Sequence, residues 1–172
     1  MIRQTLFGLI ALLIHSFTIA EESFLLLVPD KPNQQLLSLT VHGAAEGVTI
    51  SQKRSVPLPF SPSGITTQTS DKRLIITGGS KGENHAASVG ISENGELHVI
   101  GSSKLAHATG YTSVDRTGRY FMAVNYGTGQ ISTYNINNDG VVGAIADFLR
   151  SPKREAHCIL TTPDNRFVYI PC

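Results

Sequence analysis

A pattern that returns every 45 to 47 residues governs what this chain can fold into, because units repeating at a fixed period stack on one another. Three segments carry it. The first runs Ile65-Thr66-Thr67-Gln68-Thr69-Ser70-Asp71-Lys72-Arg73-Leu74-Ile75-Ile76. The second runs Tyr111-Thr112-Ser113-Val114-Asp115-Arg116-Thr117-Gly118-Arg119-Tyr120-Phe121. The third runs His157-Cys158-Ile159-Leu160-Thr161-Thr162-Pro163-Asp164-Asn165-Arg166-Phe167-Val168. Each is a β-rich run, a polar turn, an arginine and a second β-rich run. Arg73 and Arg119 are 46 positions apart, and Arg119 and Arg166 are 47 apart. Between them Asn94-Gly95 and Asp139-Gly140 recur at a spacing of 45, supplying the positive φ of tight hairpin turns. Val, Ile, Thr and Tyr alternate with polar residues, and helical periodicity is absent after residue 20. Residues 143–150 read as strand plus loop. Four antiparallel strands per repeat of this length describe an all-β protein, a β-propeller built of four-stranded blades.

Counting strands predicts an incomplete ring. The first unit has strands over 24–28, 35–41 and 48–51, with no innermost strand before them. The expected blades are 23–60, 61–106, 107–155 and the start of another over 156–172, holding three, four, four and two strands. That is about three blades, with open edges at both ends. An incomplete arc leaves apolar faces uncovered, so the isolated chain is expected to associate or stay partly unfolded.

The first twenty residues read differently. Arg3, the apolar run over 6–14, and Thr18-Ile19-Ala20 before Glu21-Glu22 match a secretory signal peptide. The alternative is a membrane anchor, for which the run is short. The expectation is therefore a periplasmic or secreted protein over residues 21–172, with no stable membrane insertion after cleavage. Export permits a disulfide between Cys158 and Cys172, which a hairpin would set nearly opposite; two unpaired thiols are the alternative. A net charge of +1 with 16% charged residues offers no basic face for a nucleic-acid partner.

The stretch from Tyr111 to Val141 resembles a blade of the lactonase family, seven-bladed propellers that include bacterial 6-phosphogluconolactonases. The matching pieces are Ser113-Val114-Asp115, Thr117-Gly118-Arg119-Tyr120, Asn125-Tyr126-Gly127-Thr128-Gly129 and Asn138-Asp139-Gly140. Ala156-His157-Cys158 through Pro163-Asp164-Asn165-Arg166-Phe167-Val168-Tyr169-Ile170-Pro171 looks like the start of the next blade. The resemblance covers residues 23–172. It implies a lactone hydrolase acting on a sugar lactone or releasing a sugar acid, without cofactor or metal. Where family members often carry His at the start of the innermost strand, this chain has Tyr111. The family's enzymes for phosphorylated sugars work in the cytoplasm, which departs from the leader seen here.

Blade topology sorts the candidate residues. Arg73, Arg119 and Arg166 follow the turn at one end and read as structural, pairing with turn carbonyls or neighbouring carboxylates. The other end collects Tyr111, Asn125, Tyr126, His157 and the 78–84 loop, where propeller ligands converge. His157 is the candidate general base, since an imidazole exchanges protons near neutral pH; the bland alternative is a histidine bonded between blades. Arg154 and Lys153 are candidates for an anionic group. Asn125 and Tyr126 would bind hydroxyls and stack on a sugar, or else serve the turn and the packing. His85 and His107 carry no expected role. No metal-ligand spacing and no G-x-S-x-G motif occur, and Gly78-Gly79-Ser80-Lys81-Gly82 lacks phosphate-loop spacing. The class left beside the hydrolase is a non-catalytic propeller binding a carbohydrate or protein partner. Because other blades would complete the site, this length of chain is expected to be inactive alone.

Overall fold

The computed structural model describes residues 22–44, 47–68 and 72–172. The leader reading over 1–20 lies outside the described residues. Thirteen strands, all paired antiparallel, fall into sheets of three, four, four and two, with no helix among the described residues. The first sheet is β1 (Glu22–Asp30), β2 (Gln35–Ala44) and β3 (Gly47–Pro57). The second orders β4 (Ser61–Thr67), β5 (Arg73–Ser80), β6 (Glu83–Ile91) and β7 (Leu97–Leu105). The third orders β8 (Tyr111–Val114), β9 (Tyr120–Val124), β10 (Gln130–Ile136) and β11 (Val142–Arg150). A hairpin of β12 (Leu160–Thr161) and β13 (Val168–Tyr169) follows. The fold is a β-propeller with partial blades.

Alternation explains the stacking. Leu74 and Ile76 on β5, with Ala87 and Val89 on β6, face the first sheet and bury against Leu36, Leu58 and Phe60. Ile75 and Ala86 face the other way, into Phe121, Ala123, Tyr134 and Val142 of the third sheet. Met122, Val124 and Ile131 repeat the arrangement against Ala156 and Ile159. Strand period two thus gives each blade two apolar faces, and the core lies between sheets. Each fully buried Leu, Ile or Phe contributes about 1.5–3 kcal/mol.

The first sheet lacks an innermost strand. Leu58 N donates to Gln34 O (2.7 Å), just before β2, as Ser151 N donates to Gly129 O (2.8 Å), just before β10. This makes β2 the counterpart of β10 and β1 the counterpart of β9, leaving the inner edge of β1 unpaired within its sheet.

Hydrogen bonding corrects two sequence expectations. The polar turn closes by Gln68 N to Arg73 O (2.9 Å), Asp115 N to Tyr120 O (3.0 Å) and Thr162 N to Phe167 O (2.9 Å). Arg73 is therefore the counterpart of Tyr120 and Phe167, and Lys72 that of Arg119 and Arg166. The repeat of this turn is 47 residues throughout; aligning on the arginines slips the first copy by one, which exchanges faces. Second, residues 143–150 are strand to the end, since β11 follows β10 to the pair Gln130↔Arg150 across two bulges. The three arginines make no ion pair with a carboxylate among the described residues. Arg119 and Arg166 instead lie over Tyr120 and Phe167, 5.8 and 5.6 Å from the ring centroids, and Arg73 lies against Gly140.

Candidate functional site

Strand direction places the predicted residues at one rim. β8 begins there with Tyr111, paired to Val124 at the end of β9, and Asn125 and Tyr126 come next. The Asp115–Gly118 turn and Arg119 lie at the opposite end of the same strands. After β11, residues 151–159 cross this rim from the outermost strand toward the innermost strand of the following hairpin. Gly129 makes the crossing possible: its φ is +69°, and a Cβ there would stand 2.9 Å from Lys153 O. Ser151 N to Gly129 O and Glu155 N to Tyr126 O (2.8 and 2.7 Å) fasten the crossing down.

Tyr126 and His157 meet edge to face, 4.6 Å between centroids at 76°. Both are exposed, and the ring nitrogens of His157 carry no hydrogen bond among the described residues. Lys153 and Arg154 line a cleft of about 440 Å³ with Gly127, Thr128, Arg150, Ser151 and Pro152. No carboxylate lines it. Tyr111 instead lines a second cleft of about 440 Å³ between the innermost strands β4 and β8. Side-chain hydrogen bonding with Cys158 first, then burial and the Coulombic influence of Cys158, hold its phenol above the usual tyrosine range. Tyr111 therefore remains a donor at neutral pH.

Asn125 has a structural job. Its amide donates to Ala108 O (2.8 Å) and its carbonyl accepts from Thr128 N (3.0 Å), which builds the β9–β10 turn. The rim thus collects Tyr111, Asn125, Tyr126, Lys153, Arg154 and His157, with Tyr111 in the channel-side cleft, Lys153 and Arg154 in the outer one, and Asn125, Tyr126 and His157 lining neither. Sequence reasoning missed Cys158 as the partner of Tyr111. It left His107 without a role, and the fold uses it between sheets: its Nδ1–H donates to Ala108 O (2.8 Å) and Nε2 meets Ser132 Oγ (2.6 Å). Cys158 and Cys172 are both unpaired. The register Leu160↔Tyr169, carried outward, sets Cys158 against Pro171 rather than against Cys172.

Residues 28–172 match the family model of the lactonase seven-bladed β-propeller. The chain belongs to the lactonase family. Among solved structures it is similar to the periplasmic gluconolactonase PpgL of Pseudomonas aeruginosa, at 16% identity and a TM-score of 0.65, covering 87% of this chain and 46% of that one. It is also similar to a protein of Bacteroides uniformis assigned as a 6-phosphogluconolactonase, at 14% identity and a TM-score of 0.69, covering 86% and 44%. The propeller domain of Cps50 from Myceliophteria thermophila matches at 12% identity and a TM-score of 0.56, covering 86% and 50%. These likenesses are of fold, and this lactonase-family chain spans about half the length of those proteins or less. No curated protein matches it. No helix among the described residues is long and apolar enough to cross a membrane.

Proposed function

We propose that the lactonase propeller containing this chain hydrolyses the ring ester of a sugar lactone at this rim. The exposed His157 imidazole, with both nitrogens unengaged beside Tyr126 and near the Lys153–Arg154 cleft, carries the reading. His157 takes a proton from water as the water oxygen bonds to the lactone carbonyl carbon. Charge gathers on the carbonyl oxygen, where Arg154 offers a cation. The ring C–O bond then breaks, and the His157 proton passes to the departing alkoxide, leaving a sugar acid. Tyr126 packs against the sugar ring, and Asn125 shapes the turn that carries Tyr126.

The signal-like residues 1–20 support a periplasmic or secreted enzyme, in which phosphorylated lactones are scarce and free aldonolactones are the substrates. A non-catalytic carbohydrate- or protein-binding propeller is the second reading, favoured by the engagement of the Asn125 side chain within its own turn. Turnover of several aldonolactones by the whole protein separates the two. His157→Ala is expected to lower kcat by roughly 100-fold or more with the thermal transition unchanged. Unchanged turnover in a folded His157→Ala protein excludes the mechanism, and no turnover on any lactone favours the second reading.

A further inference from the structure

The three larger sheets each end on the outside in a strand with one free edge: β3, β7 and β11. A free edge offers unpaired amides and carbonyls to another strand, and chains ordinarily blunt it with lysine or proline. β3 carries Lys53 and ends at Pro57, and β7 carries Lys104. β11 has neither residue type, and its one carboxylate is Asp147. From Ala144 to Arg150 every residue is exposed, and Ile145 and Phe148 keep 46% and 44% of their surface in solvent. The ladder fixes which backbone groups are free. Ser151 N donates to Gly129 O, and the pairs Ile131↔Leu149 and Thr133↔Asp147 continue that register, so residues 147, 149 and 151 turn toward β10. Phe148 and Arg150 turn their amides and carbonyls outward. The chain caps one of these groups itself, since Phe148 N donates to Asp147 Oδ1 (2.8 Å). At its end the strand runs into the cleft lined by Arg150, Lys153 and Arg154, none of which forms an ion pair among the described residues. Like charges gathered in this way repel, and an acidic partner relieves the repulsion.

We infer that β11 is a docking edge for an extended acidic segment of another protein, which adds antiparallel as a fifth strand of this sheet. Antiparallel addition sets the N-terminal end of the segment beside Arg150, so carboxylates there turn into the Arg150–Lys153–Arg154 cleft. A β-branched residue opposite Phe148 packs on its ring, and a glutamate opposite Arg150 completes a cross-strand ion pair. The Asp147 carboxylate gives up Phe148 N to the incoming carbonyl. A peptide suits both halves of this surface, because it alone presents an amide ladder to the edge; a polyanionic glycan or a lipid surface would answer the cations and leave the edge unpaired. The inference concerns association with a partner and does not rest on the lactonase reaction.

The probe is a fluorescently labelled, C-terminally amidated peptide, Asp-Asp-Thr-Glu-Thr-Val-Thr-Val-Thr, titrated with the whole protein and followed by anisotropy. Saturable binding that weakens at high salt is expected. In the proposed register the glutamate and the first valine exchange backbone hydrogen bonds with Arg150 and Phe148. N-methylation of those two amides should therefore weaken binding roughly tenfold or more, whereas N-methylation of the threonines between and beside them, whose amides point away, should leave it unchanged. Arg150→Ala with Lys153→Ala should weaken the peptide roughly tenfold, and a peptide with lysine in place of its acidic residues should bind no better than that variant binds the acidic one. Asp147→Ala frees Phe148 N and removes the one acid of the strand, so it should tighten binding. A thermal transition matching the wild type keeps a misfolded variant from counting as support. Equal loss from both methylation patterns, polygalacturonate or anionic phospholipid vesicles competing while the methylated and unmethylated peptides bind alike, or no peptide binding each overturns the inference.

Discussion

Asp115 shows how a single side chain fixes a turn and a blade boundary together. One carboxylate oxygen accepts from Arg119 N and Tyr120 N, both at 2.8 Å. The other accepts from Thr117 N (3.1 Å), Thr117 Oγ1 (2.5 Å) and, from the next sheet, Asn165 Nδ2 (2.9 Å). Burial works to raise its pKa, but hydrogen bonds from Thr117, Tyr120 and Asn165 outweigh burial and hold the carboxyl below its ordinary value. Asp115→Ala should lower unfolding free energy by about 3 kcal/mol in urea denaturation, since a charged acceptor and its buried donors are lost together. The pH sign follows from the lowered pKa. The contribution is fully present above the unfolded carboxylate value of about 4 and is lost as pH falls through the lower folded value. Asp115→Asn should therefore flatten the acid limb of the stability curve. An acid limb as steep as the wild type's would show that other carboxylates carry it. Asp-x-Thr-Gly-Arg was legible in the sequence as a turn, but the link to Asn165, fifty residues on, was not.

At the scale of elements, local chemistry told most and pairing told the rest. The Asn-Gly and Asp-Gly turns, with φ of +79° at Gly95 and +86° at Gly140, and the alternation of β5 and β9 were readable directly. Alignment on the arginines sets the first copy of the repeat one residue out of register because Arg73 is chemically like Arg119, and only the ladder distinguishes a strand residue from a turn residue. The bulge between Pro62 and Gly64 in the β4–β5 ladder is equally hidden, because a bulge is a property of two strands and not of one. Gly129 offers the element-scale test. Gly129→Ala demands a left-handed φ of an L-residue and drives a methyl against the Lys153 carbonyl, so it should cost about 2 kcal/mol in thermal or urea unfolding. It should also displace the 151–155 crossing, read as a changed NMR shift of the His157 ring. A neutral Gly129→Ala would mean that the crossing is not seated on this turn.

For the whole molecule, the faces at either end of the arc are exposed. Val48 and Ile50 on the first sheet are 70% and 60% accessible, and Leu149 and Tyr169 at the other end are 56% and 65% accessible. Apolar surface of this kind is expected to self-associate. Sedimentation velocity on the 172-residue chain should show species that grow with concentration; a concentration-independent monomer with a sharp transition would contradict this. The repeat length made the architecture legible, while the division of the rim into a cationic outer cleft and an uncharged inner one required the folded chain.

Disulfide trapping tests the propeller arrangement most directly. With Cys158 and Cys172 replaced by serine, Thr66→Cys with Thr112→Cys places two thiols where the native hydroxyls touch across β4 and β8. Mild oxidation should cross-link this pair rapidly. The same treatment should fail for Arg119→Cys with His157→Cys, which stand at opposite rims. A cross-link between 119 and 157, or none between 66 and 112 in a folded protein, would contradict the account.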